Sequence, residues 1–338
     1  MNVSCSVAVR RRACVIMVVT GGIVIACMLK VVAEYRHEMN TIEAIRRLGK
    51  QADVEYRGPE WIPLSMRRMI PLFDRVVLVN LRHANVSSDV AREVGGLYHL
   101  EVLLLDGSTI DDAGLAAISY LPRLRELSLD NTRISNRGTA CLARLVTIER
   151  VSLRNTLVED DTAEFLGVLR RLIRVDVSGT RVGDRGVCAM ADVANMNELL
   201  LDNLSVGDDG LSRIGEMRHL ETLSLGNTRV TDKGLKLLTQ CSCLRVIKLD
   251  GTAVTSCGMS ELRNVSTLQK VHVDNTAVGD RGVRVLSDLE YLQTLSIGNT
   301  VVTKEGRAAF GIARPTCIVF PLLPREYGNK KGDRVGEQ

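Results

Sequence analysis

The sequence predicts an α/β solenoid of about ten rungs, with a curved parallel sheet on its concave side, short helices on its convex side and one transmembrane helix ahead of the first rung. Three observations carry this. A short motif returns every 24 residues, the apolar period changes from two to three inside each copy, and a 21-residue apolar run stands near the amino terminus.

Residues 1–12 are a short basic segment ending in Arg10, Arg11 and Arg12. Residues 13–33, "ACVIMVVTGGIVIACMLKVVA", are apolar except Thr20 and Lys30. As a helix this run is long enough to cross a hydrocarbon core of about 30 Å, with Lys30 snorkelling at the far end. Positive residues prefer the cytoplasm, so a single-pass anchor would leave the amino terminus inside and the remaining chain outside. Two other fates stay open. The run has the basic start and apolar middle of a cleaved signal peptide, and "VIAC" (24–27) is similar to a bacterial lipobox, which would make Cys27 a lipidated terminus. The length of the run favours the uncleaved anchor.

Residues 34–75 are expected to cap the solenoid. "EYRHEMNTIEAIRRLG" (34–49) reads as an amphipathic helix with Met39, Ile42, Ile45 and Leu48 on one face and Gly49 as its stop, and "ADVEYR" (52–57) alternates like a strand.

The repeats occupy residues 76–323. Aligned on one column, Ala84, Ser108, Thr132, Thr156, Thr180, Leu204, Thr228, Thr252, Thr276 and Thr300 follow at 24-residue steps without insertion. Two residues later every copy has Val or Ile, which suits an extended buried backbone. Three and five residues before the column stand apolar pairs such as Leu223 with Leu225 and Ile247 with Leu249, the alternation of a short strand of four or five residues. Beyond the loop the spacing becomes helical, as in Leu235, Leu238 and Cys241, with Thr231 and Asp232, or Asp111 and Asp112, placed to cap the helix start. Gly recurs six residues after the column (Gly138, Gly186, Gly234, Gly258, Gly282), where it permits close packing between rungs. "RPTCIVFPLL" (314–323) predicts a closing strand, and residues 324–338 lack apolar periodicity and read as a disordered tail.

With these elements in place, "LETLSLGNTRVTDKGLKLL" (220–238) resembles a leucine-rich repeat, with Leu220, Leu223, Leu225 and Thr228 at framework positions. Thr stands where many members carry Asn, and its hydroxyl is expected to bond loop backbone. The order of anchor, helix, strand and repeats is similar to bacterial membrane-anchored leucine-rich-repeat proteins of unknown function. Similar repeats also occur in ubiquitin-ligase substrate receptors, but residues 34–75 contain no recognisable F-box, so that adaptor reading rests on the analogy alone.

Charge narrows the partner class. The chain has 44 basic and 40 acidic residues; Arg10, Arg11, Arg12 and Lys30 precede residue 34 and no acidic residue does, which leaves 40 against 40 from residue 34 onward. A formally neutral repeat region argues against nucleic acid. Alternating signs at Arg137, Asp161, Arg185 and Asp209, and the column Glu126, Arg150, Arg174 and Glu198, with like charges only at its central pair, predict ion pairs between rungs that give modest support. Nine cysteines follow no disulfide-framework spacing, and His219 beside Cys243 lacks the third ligand a zinc site needs. No phosphate loop, HExxH, G-x-S-x-G or Cys/His arrangement is present, so neither enzyme activity nor a cofactor is expected.

What the resemblance implies is a non-enzymatic protein-binding module, with a structural envelope or spacer component as the alternative. The candidate partner-binding residues lie between buried strand positions: Val246, Lys248, Lys270 and His272, near Asp250 and Asp274, with Val102, Leu104 and Leu200 as further apolar spots.

Overall fold

The computed structural model describes residues 29–48, 53–57 and 75–321. The expected anchor at 13–33 lies outside them except for residues 29–33, and the expected tail lies wholly outside. Among the described residues no helix is long and apolar enough to cross a membrane. The chain divides into two compact units, one ending at Ser205 and the other beginning at Val206.

In the first unit, residues 29–47 form helix α1. Strand β1 (Asp53–Arg57) pairs antiparallel with β2 (Arg75–Asn80), matching Asp53 to Asn80 and Arg57 to Arg75. From β2 the order is parallel and sequential through β3 (Val102–Leu104), β4 (Glu126–Ser128), β5 (Arg150–Ser152), β6 (Arg174–Asp176) and β7 (Glu198–Leu200). Each register step equals the sequence period: Leu103 faces Leu127, which faces Val151. The helices between them are α2 (Ser88–Val94), α3 (Asp112–Ile118), α4 (Asn136–Thr139), α5 (Thr162–Gly167) and α6 (Asp184–Met190).

The second unit opens on two 3-10 turns, Asp209–Leu211 and Ile214–Glu216, where other rungs have an α-helix. Ser212 and Gly215 lower helix propensity there, and a Cβ on Gly215 would stand 2.8 Å from the Cβ of Gln240. Strands β8 (Thr222–Ser224), β9 (Val246–Lys248), β10 (Lys270–His272), β11 (Thr294–Ser296) and β12 (Ile318–Phe320) again pair in parallel and in order. They alternate with α7 (Asp232–Leu237), α8 (Ser256–Leu262), α9 (Asp280–Leu286) and α10 (Lys304–Ala313). The expected closing strand is β12.

The repeating apolar columns are the core. In one rung Leu220, Leu223, Leu225, Val230, Leu235 and Leu238 are all fully buried, as a unit that cannot cover its own apolar face requires. The Thr hydroxyls bond backbone as expected: Thr132, Thr156, Thr228, Thr252 and Thr276 each donate to the carbonyl three residues earlier at 2.6 Å.

Two expectations need correction. The repeat strands from β3 to β12 are three residues long, not four or five, and β2, the strand of the first rung, has six. A residue in the left-handed region follows soon after each and turns the chain. It is His83, Gly107, Asn131, Asn155, Gly179 and Asn203 in the first unit, and Asn227, Gly251, Asn275 and Asn299 in the second. Backbone pairing between rungs nevertheless continues past the strand, with Leu225 N–H donating to Lys248 O and Asn227 N–H to Asp250 O. Helix α1 buries a different face from the one expected: Ile42 and Ile45 are inside, but Met39 is exposed and Leu48 only half-buried, while Glu38 and Thr41 are buried. A strict three-residue spacing drifts by about 60° per step on a 3.6-residue helix, which carries Met39 and Leu48 off the stripe. Arg75 meets the buried acid from β2, lying 3.8 Å from Glu38 and 3.4 Å from Glu34.

Candidate protein-binding face

Because strand side chains alternate, burying Ile247 and Val271 places their neighbours on the open face of the sheet. In the second unit that face carries a square: Lys270 is in register with Val246, and His272 with Lys248. Lys270 is exposed; the other three are half-buried. Thr222 and Ser224 flank the square on one side, Thr294 and Ser296 on the other. The neighbouring carboxylates are committed to the loops. Asp250 Oδ1 accepts Asp274 N–H at 2.8 Å, and Asp274 accepts the Ser296 hydroxyl at 2.7 Å and the Gly298 N–H.

Burial holds His272 below the usual imidazole range; Lys248 and Lys270 push the same way against the pull of Asp250 and Asp274. The two lysines therefore supply the positive charge of the patch near neutral pH, and the imidazole supplies a donor and an acceptor. Val246 and the lysine stems add apolar area.

The other sequence-predicted positions lie in the first unit. Val102 and Leu104 stand together on the open face of β3, both half-buried. Leu200, at the end of β7, is four strands further along, about 19 Å at ordinary strand spacing, so it does not join them. Sequence reasoning missed Ile318 and Phe320, which continue the same two columns next to Thr294 and Ser296 and are 52% and 39% exposed. Their signal was the period itself, obscured because the segment had been read only as a closing strand.

Each predicted charge column contributes an ion pair between rungs, Arg174 with Glu198 at 2.8 Å and Arg185 with Asp161, and Arg245 with Glu221 at 3.6 Å adds one from a column the sequence reading did not single out. Cys241 points inward and donates to Ile214 O, and burial pushes its thiol to about 11. Among the described residues no group of three His, Cys, Asp or Glu side chains is placed to hold a metal ion.

Each unit is thus a repeat solenoid that covers one sheet face with helices and leaves the other open. A family description, Leucine Rich repeat, matches residues 216–238. The solved structure of an internalin (inlF) from Listeria monocytogenes is similar over 77% of this chain and 94% of that one, at 17% identity and a TM-score of 0.51. An internalin C2 (inlC2) from the same species is similar over 68% and 80%, at 21% identity and a TM-score of 0.41. No curated protein matches the sequence. Residues 216–238 thus match a leucine-rich repeat, and the fold is that of a leucine-rich-repeat solenoid.

Proposed function

We propose that this protein is a non-enzymatic, membrane-tethered protein-binding module that docks its partner on Val246, Lys248, Lys270 and His272. The observation that carries the reading is the register of β9 and β10, which brings two cations, an imidazole and apolar area onto four adjacent open-face positions. Such a cluster orients a partner segment of acidic or mixed character without the extended positive field nucleic acid requires. The tether is the apolar run 13–33, which keeps the amino terminus cytoplasmic and the repeats outside; lipidation at Cys27 is the alternative attachment.

The test is the double variant Lys248→Glu/Lys270→Glu, made in the full chain and followed by mild crosslinking in cells. Both side chains stand on the open face, so the thermal unfolding midpoint should stay within a few degrees of the parent. A stoichiometric partner of the parent should disappear or change. A folded variant that keeps the same partner moves the site to Val102, Leu104 and Leu200, and a parent that crosslinks to background alone supports a spacer.

A further inference from the structure

In the first unit, four of the loops that lead from a helix back to the next strand are rich in exposed aromatic, apolar and basic side chains, while the fifth, 192–195, holds Asp192 and neither arginine nor aromatic. Tyr98, Tyr120, Val146 and Val168 project from the four with 57%, 66%, 69% and 61% of their surface exposed. Exposed Arg123, Arg144, Arg170 and Arg171 are interleaved with them. Residues 97–99, 120–123, 144–147 and 168–171 contain no carboxylate. Arg144 is held by an aromatic ring: its guanidinium lies 4.9 Å from the Tyr120 ring centroid and donates to the Tyr120 hydroxyl at 2.8 Å.

The opposite edge of the same rungs is acidic. Residues 106–113, 130–137 and 154–161 hold seven carboxylates against Arg133, Arg137 and Arg154. In the second unit the equivalent helix-to-strand loops, 216–219, 240–243, 264–267, 288–291 and 312–315, hold Glu216, Asp288 and Glu290 with two arginines, Arg218 and Arg314, and Tyr291 and Ile312 are their large exposed side chains. Arginine and exposed tyrosine are therefore denser along this edge in the unit that follows the apolar run. The edge also begins where that run ends: Ala33, the last residue of 13–33, lines one pocket with Glu34, His37, Tyr98 and His99.

We propose that this edge is a membrane-contact surface that lays the first unit against anionic lipid headgroups. Tyrosine prefers the headgroup level, where its ring is sheltered and its hydroxyl wet. Arginines bind lipid phosphates while their stems and the valines cover the apolar boundary. Charge complementarity and adjacency to Ala33 together select a bilayer as the occupant. The proposal rests on the tether described above, and turns it from a flexible leash into a fixed orientation in which the acidic edge faces away from the lipid.

The test uses the full chain in nanodiscs of phosphatidylcholine alone and of phosphatidylcholine with an equal share of phosphatidylglycerol, followed by amide hydrogen exchange. Exchange in residues 120–123, 144–147 and 168–171 should slow severalfold in the anionic discs only, with 154–161 unchanged. The variant Arg144→Glu/Arg170→Glu/Arg171→Glu should stay in the discs and lose the slowing. A retained chain with no slowing leaves the edge to an acidic protein and overturns the proposal; equal slowing in both lipids removes the role of charge and also overturns it. A chain retained by neither disc removes the tether. The edge then stands only if that chain floats with phosphatidylglycerol vesicles, and falls if it stays at the bottom of the gradient.

Discussion

At the scale of the residue, the column just before each Thr is constrained by torsion rather than by chemistry. Its members are His, Asn and Gly, and what they share is a positive φ, from 52° at Asn299 to 69° at Gly179. Asn tolerates that region and also links rungs, since Asn155 Nδ2 donates to Asn131 Oδ1 at 2.9 Å. At Gly179 a Cβ would fall 2.1 Å from Asn155 Oδ1. Gly179→Ala should therefore cost at least the roughly 1–2 kcal/mol of a left-handed L-residue, read as a lower urea midpoint, and a loss below about 0.5 kcal/mol would show that the rung simply re-forms its turn. His272 gives a second prediction. Its folded value lies below the ordinary imidazole value of 6.5, so the unfolded chain takes up the proton first and acidification through that value costs stability. Lys248 is one cause of the depression, so Lys248→Glu should move the His272 imidazole titration, followed by NMR, to higher pH. An unchanged titration would mean that burial alone sets it.

At the scale of the element, several helix starts are capped partly from the rung before. Thr255 caps α8 from its own rung by accepting Cys257 N–H, while its N–H and hydroxyl both donate to Asp232, at 2.7 and 2.6 Å. The arrangement recurs at Ser135 on Asp112, Thr231 on Asp208 and Thr303 on Asp280. The recurrent glycine makes room for that acid: a Cβ on Gly258 would stand 2.4 Å from Asp232 Oδ1. Asp232→Ala should cost about 2 kcal/mol through two lost charge-assisted bonds. Gly258→Ala should also destabilise, and the double variant should lose less than the two losses together, because the clash leaves with the carboxylate. Strict additivity in urea unfolding would break the link between the two columns. These cases separate what the sequence makes legible from what it hides. The apolar columns repeat in chemical type, so the core, the strand register and the Val246–His272 square can be read directly from the period. The capping acid and its glycine meet only after a turn of the solenoid, 26 residues apart, and each looks locally like an ordinary cap or an ordinary small residue. Met39 was misplaced because three-residue spacing imitates a helical stripe over one turn and leaves it over three.

At the scale of the whole molecule, the decisive quantity is where the charge is not. From residue 34 onward the chain has no net formal charge, and the excess of four sits entirely at Arg10, Arg11 and Arg12, just before the apolar run, and Lys30, near its far end. Three of those cations precede it, and cations within about 15–20 residues of a span set its orientation far more than distant ones do. The expected arrangement is therefore an amino terminus held in the cytoplasm with the repeats across the membrane. Alkaline carbonate should leave the full chain in the membrane pellet, and protease supplied from outside the inner membrane should digest the repeats while an amino-terminal tag survives. Replacing Arg10, Arg11 and Arg12 with Glu should weaken or invert that protection without changing the carbonate result. Cys27→Ala separates the two modes of attachment: a spanning helix keeps the variant in the pellet, since Ala is at least as good a helix former as Cys, whereas a lipidated terminus loses its acyl chains and releases the protein. Recovery of a soluble parent chain that begins after residue 30 would overturn both attachments at once.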